Sequence, residues 1–218
     1  MRAIPDLALR RPFELDLQHC PNGSGERRNI ASIMEPPLAN AITGITGDNL
    51  LDGAEGDDTL ADGTDDDLYI TKNAGDVMIA TAGNDTVRTA RNGCQMLDGF
   101  ENLELAGAAQ SASDKSADNR IKGTAGNNTL VGGLVNDTLE GGQGDDVVDV
   151  SAGDDAYLID SLLDKVSDRG RFNSLVSSVD DYAVGLDFKR LQLSRNALIG
   201  VGNSADNLDA RCCTAALL

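Results

Sequence analysis

Polar and apolar positions recur along this chain every nine residues. From Gly44 the chain divides into GITGDNLLD (44–52), GAEGDDTLA (53–61) and DGTDDDLYI (62–70). A second block from Gly123 divides into GTAGNNTLV (123–131), GGLVNDTLE (132–140), GGQGDDVVD (141–149) and VSAGDDAYL (150–158). Position 8 is Leu, Val or Tyr in all seven units, and position 5 is Asp or Asn in all seven. Position 6 is Asp in five and Asn in two, and positions 1 and 4 are each Gly in five. One inward apolar residue per nine, preceded by a Gly/Asp turn, predicts a short strand at positions 7–9 of every unit. Helical periodicity is weak throughout.

A longer repeat contains both blocks. Residues 69–119 map onto 157–207 without a gap, pairing Val87 with Leu175, Leu103 with Leu191 and Leu105 with Leu193. In the intervening spacer 71–118, apolar stretches predict strands at Val77 to Ala80, Asp85 to Thr89 and Asn102 to Leu105. Gly83-Asn84-Asp85 has no matching loop two units away in this reading and is expected to be an ordinary turn. Tyr69 and Tyr157 close their blocks at position 8 and are expected to cap the core. Residues 1–37 carry no repeat and read as an irregular leader with one short helix near Leu7 to Leu17.

Composition narrows the chemistry. There are 36 acidic and 18 basic residues, 24 glycines, 3% aromatics and no tryptophan. A core of small aliphatic layers follows. A formal charge of -18 opposes compaction unless cations neutralise it, and it argues against nucleic acid as a partner. No stretch approaches the ~20 apolar residues of a transmembrane helix. Met1 to Leu17 lacks the apolar segment of a cleaved secretory signal. Cys20, Cys94, Cys212 and Cys213 form no metal or disulfide pattern. With His19 the only histidine there is no H-E-x-x-H motif, and there is no G-x-S-x-G, so the chain reads as non-catalytic.

The loop chemistry points to a hard cation. Glycines permit the positive-φ turns that let backbone carbonyls converge, and the position-6 carboxylate adds the oxygen that Ca²⁺ prefers. Two nonapeptides make one coil, so a loop stacks on the loop two units away and an ion fits between. The candidate ligand positions are Gly44, Gly47, Asn49, Gly53, Gly56, Asp58 and Asp67 in the first block. In the second they are Gly123, Gly126, Asn128, Gly132, Asp137, Gly141, Gly142, Gly144, Asp146, Gly153 and Asp155. The stacked pairs are 44–49 with 62–67, 123–128 with 141–146, and 132–137 with 150–155. The 123/141 pair keeps the most glycines and ranks first. Asp65 and Val135 stand where position 4 wants Gly, and Val150 where position 1 does.

The motifs GAEGDDTL, GGQGDDVVD and GDDAYLID resemble the RTX, or haemolysin-type calcium-binding repeat, family, whose parallel β-helix coils are built from this nonapeptide. The spacer segments NAGDV (73–77), GNDTVRT (83–89) and FENLELAG (100–107) resemble longer units of large RTX surface and exported proteins. The resemblance covers roughly 40–210. It implies an all-β parallel β-roll or β-solenoid, Ca²⁺ as cofactor and partner, folding outside the cell, and export by a type I secretion system. The expected layout is a leader (1–37), a first RTX-like unit (38–118), a second (119–210) and a tail (211–218). The functional expectation is a secreted or surface calcium-dependent folding scaffold. The alternatives are the C-terminal repeat portion of a larger exported enzyme or toxin, or a degenerate adhesive module that no longer binds calcium.

Overall fold

Eighteen residues bring the chain back onto itself, as the pairing of Leu50 with Leu68 and of Leu68 with Thr86 shows. In the computed structural model, residues 28–29, 39–114, 116–149, 152–167, 173–183, 188–194 and 200–201 are described. The expected leader helix and the tail lie outside these residues. The strands run β1 (Arg28–Asn29), β2 (Ala41–Thr43), β3 (Asn49–Asp52), β4 (Thr59–Ala61), β5 (Leu68–Thr71), β6 (Val77–Ile79) and β7 (Thr86–Thr89). They continue with β8 (Cys94–Gln95), β9 (Asn102–Leu105), β10 (Ser111–Ser113), β11 (Arg120–Lys122), β12 (Thr129–Val131), β13 (Thr138–Glu140) and β14 (Val147–Asp149). The last are β15 (Ala156–Ile159), β16 (Lys165–Ser167), β17 (Asn173–Ser177), β18 (Tyr182–Ala183), β19 (Phe188–Leu193) and β20 (Gly200–Val201). Among the described residues there is no helix, hence none long and apolar enough to cross a membrane.

Every pairing is parallel and joins alternate strands, the signature of a β-roll. The odd-numbered strands β1 to β19 form one ten-stranded sheet. Facing it are β2-β4-β6, then β8-β10-β12-β14-β16, then β18-β20. Parallel strands need covered faces, and the two faces of the roll cover each other. One inward side chain per strand does this. The ladder Leu51, Tyr69, Val87, Leu103, Ile121, Leu139, Tyr157, Leu175 and Leu191 is buried along the long sheet. Ile42, Leu60, Cys94, Ala112, Leu130 and Val148 oppose it. Each fully buried Leu contributes roughly 1.5–3 kcal/mol.

The spacer is not a break in the roll. Residues 71–79 and 80–88 form further coil segments, with Thr59 paired to Val77 and Tyr69 to Val87. The expected strands are present as Val77–Ile79, Thr86–Thr89 and Asn102–Leu105. One coil is shorter: Thr86 pairs with Asn102. There Phe100 fills the interior, its ring edge-on to Tyr69 with centroids 5.0 Å apart and planes at 85°. The hydroxyl of Tyr69 donates to the Ile79 carbonyl at 2.7 Å, so Tyr69 is a core residue, as expected. The second unit repeats the event, with Ser174 paired to Arg190. The long repeat read from the sequence is thus a repeat of structure.

Candidate metal centres

Each of the seven nonapeptide turns carries its position-6 side chain inward beneath the loop. The residues concerned, Asn49, Asp58, Asp67, Asn128, Asp137, Asp146 and Asp155, are all buried. They are tied together by a ladder along each edge of the roll. The backbone N–H of each position-6 residue donates to the Oδ1 of the position-6 residue eighteen later. The distances are 2.6 Å for Asn49 to Asp67, 2.7 Å for Asn128 to Asp146 and 2.8 Å for Asp137 to Asp155. Position 5 forms a second, outer ladder in the opposite sense. Asn127 Oδ1 accepts from Asp145 N–H at 3.0 Å, and Asn136 Oδ1 from Asp154 N–H at 2.7 Å. Asp66 does the same for the Asn84 N–H at 2.8 Å, so the ladder gives Asp or Asn a role at position 5 in these three units.

The inner ladder uses only one carboxylate oxygen. Oδ2 of Asp58, Asp67, Asp85, Asp137 and Asp146 is buried with no hydrogen-bond partner. A buried charged acceptor without a partner is costly. Burial, the largest influence, pushes the Asp85 and Asp137 carboxyls up to about 7 and Asp146 up to about 6. Donated N–H bonds oppose the shift, and neighbouring aspartates add to it: Asp62 and Asp67 for Asp85, Asp155 and Asp114 for Asp137, Asp164 and Asp160 for Asp146. Asp58 and Asp67 move in the same direction, also chiefly by burial.

Position 1 explains its own glycine. A methyl group on Gly141 would lie 2.0 Å from Asp146 Oδ2, and one on Gly53 would lie 2.5 Å from Asp58 Oδ2. On Gly44 and Gly123 it would lie 2.5 Å from Oδ1 of Asn49 and Asn128. Gly132 is likewise buried, its N–H bonded to the Asp149 carbonyl at 3.0 Å. Position 4 takes the left-handed backbone at Gly47, Gly56, Gly144 and Gly153. Gly126 is not among the positive-φ glycines; its N–H reaches the Thr124 hydroxyl at 3.2 Å. Gly142 packs so close to the preceding coil that a methyl there would meet the Thr124 carbonyl oxygen at 2.1 Å.

The two non-glycine residues at position 4 keep the same conformation, Asp65 at φ 89° and Val135 at φ 73°. A β-branched residue in that region is strained by roughly 1–3 kcal/mol. Val135 is also exposed, so little packing depends on it. Val135→Gly should raise the urea midpoint by the equivalent of about 1 kcal/mol, less than the full strain because glycine loses more entropy on folding.

The expected loop pairs do stack: 44–49 on 62–67, 123–128 on 141–146, and 132–137 on 150–155. Carboxylates, however, gather one coil further on. The ligand-capable oxygens of Asp62, Asp67 and Asp85 lie within 4.8 Å of one another, as do those of Asp146, Asp160 and Asp164. Asn49 and Asn128 instead close their own loops, Asn49 Oδ1 accepting from Ile45 N–H at 2.6 Å and Asn128 Oδ1 from Thr124 N–H at 2.7 Å. The expectation for Gly83-Asn84-Asp85 needs correction. Asp85 Oδ1 accepts the Asp67 N–H at 2.8 Å, so this turn does have a partner loop two units back. Asp76 and Asp164 occupy position 6 in the same way, accepting from Asp58 and Asp146 at 3.1 and 2.9 Å. Their loops lack the opening glycines, which hid them. Aspartates spaced by eighteen residues were the available signal.

These residues fit a hard divalent cation. The donors are oxygens, several are buried without a partner, and the position-1 glycines leave the room beneath them that a Cβ would fill. A family model for the RTX calcium-binding nonapeptide repeat (4 copies) matches residues 70–90, 116–134 and 122–157. The first of these matches falls on the spacer loops that carry Asp76 and Asp85. No curated protein and no solved structure matches the chain.

Proposed function

Because the chain carries RTX calcium-binding nonapeptide repeats, we propose that it is a calcium-dependent folding scaffold in a secreted or surface protein, without catalytic activity of its own. One observation carries the reading. Buried position-6 aspartates accept an N–H from the preceding coil with one oxygen and leave the other unpartnered within the roll. A bound Ca²⁺ would supply the missing positive charge, and its binding free energy would become folding free energy. The ligand positions proposed are those named from the sequence, with the position-6 carboxylates as the charged members.

Extracellular calcium modules bind with Kd of roughly 10⁻⁴ to 10⁻³ M. Such a site is empty at cytosolic calcium and filled outside the cell. Export followed by calcium-driven folding, through a type I system, is consistent with that range. The test is a calcium titration of the full chain followed by far-ultraviolet circular dichroism. A β signal that is weakened in EGTA and rises on adding millimolar Ca²⁺, with a fall in hydrodynamic radius, is expected. Identical spectra in the two conditions would refute the proposal.

A further inference from the structure

The long repeat lets each site be compared with its counterpart 88 residues away, since 69 maps onto 157. The loops 71–76 and 159–164 have the same backbone arrangement. Asp76 Oδ2 accepts the N–H groups of Lys72 and Asn73, both at 3.1 Å. Asp164 Oδ2 accepts those of Asp160 and Ser161 at 3.2 and 3.0 Å. The position that carries Asp160 in the second unit therefore carries Lys72 in the first. Asp160 completes a three-carboxylate cluster with Asp146 and Asp164. Lys72 puts a cation there instead, with its Nζ 3.6 Å from Asp52.

The other edge shows the reverse. Asp62, Asp67 and Asp85 converge in the first unit, all three buried. Their counterparts in sequence are Val150, Asp155 and Asn173. The 62–67 and 80–85 loops lead into the ten-stranded sheet, whereas 141–146 and 159–164 lead into the opposing sheet. Both clusters also hold an observation independent of their charge. Asp67, Asp85 and Asp146 are 1–2% exposed, and each has an Oδ2 with no hydrogen-bond partner.

We propose that each unit holds one Ca²⁺ in a three-aspartate site, Asp62–Asp67–Asp85 in the first and Asp146–Asp160–Asp164 in the second, on opposite edges of the roll. In each, one ligand comes from the opening of its loop: position 1 for Asp62, position 2 for Asp160. The two units are thus not equivalent binding modules. This deepens the calcium reading and rests on it.

Calorimetric titration of the full chain with CaCl₂ tests it. Asp62→Asn and Asp160→Lys should each remove one bound ion per chain. Asp160 is exposed, so its replacement leaves the core untouched. Lys72→Asp should add one ion, by completing the counterpart site with Asp58 and Asp76, and unfolding cannot imitate that gain. If the native chain takes up no calcium, the calcium reading itself falls. If it binds calcium but Asp62→Asn or Asp160→Lys keeps the full complement, or Lys72→Asp adds nothing, this inference falls and the calcium reading stands.

Discussion

Freed of calcium, the folded chain should be more stable at pH 5 than at pH 8. Asp85 and Asp137 sit near 7 in the fold and Asp146 near 6, raised first by burial. Unfolded aspartates titrate near ~3.9. Between those values the folded state holds more protons than the unfolded state, so stability falls as pH rises. The contribution is complete below the unfolded value and is lost by about pH 7. Protonation of these three carboxyls at pH 5 also removes part of the repulsion from a formal charge of -18. Calcium reverses the order, because it needs the ionised form. Its effect on Tm should be largest above pH 7 and fade towards pH 4. Thermal melts of dialysed protein, with and without millimolar CaCl₂, measure both trends. A calcium-free Tm that climbs steadily from pH 5 to pH 8 would contradict the assignment of uncompensated buried carboxylates.

The same electrostatics explain what was legible in the sequence. The position-8 ladder was readable because Leu51, Leu60, Leu130 and Leu139 each follow a Gly/Asp turn at a fixed distance. The position-6 column was readable for the same reason, since only Asp or Asn accepts the neighbouring N–H at that reach. The spacer coils were obscured because their loops close by other means. Asp76 folds back on the N–H groups of Lys72 and Asn73, so residues 71–76 hold their turn with Thr71 and Lys72 in place of opening glycines. At the short coil Glu101, one methylene longer than Asp, reaches the Asp85 N–H at 2.7 Å. A pattern search keyed to glycine passes over both. Asp62 was missed for a related reason, because it stands at position 1 where glycine was expected and so counts as a defect; Asp160 was missed because it follows the last unit read, 150–158. Only the winding of the coils shows that they face other carboxylates.

Replacing Leu139 by alanine should cost about 2–5 kcal/mol. Leu139 is fully buried on β13, directly between Ile121 on β11 and Tyr157 on β15. In a roll this thin no second layer of side chains can move in to fill the void. Each coil also contacts chiefly its two neighbours, so stability is transmitted along the axis one interface at a time. A weakened layer at Leu139 therefore separates the coils before it from those after it. Urea unfolding in saturating calcium should show a lower midpoint and a broader, less cooperative transition than the parent. Leu163→Ala is the matched control: Leu163 is 64% exposed on a loop, and its loss should change stability by no more than about 0.5 kcal/mol. Equal midpoints for the two variants would mean that the inward ladder does not hold the roll together.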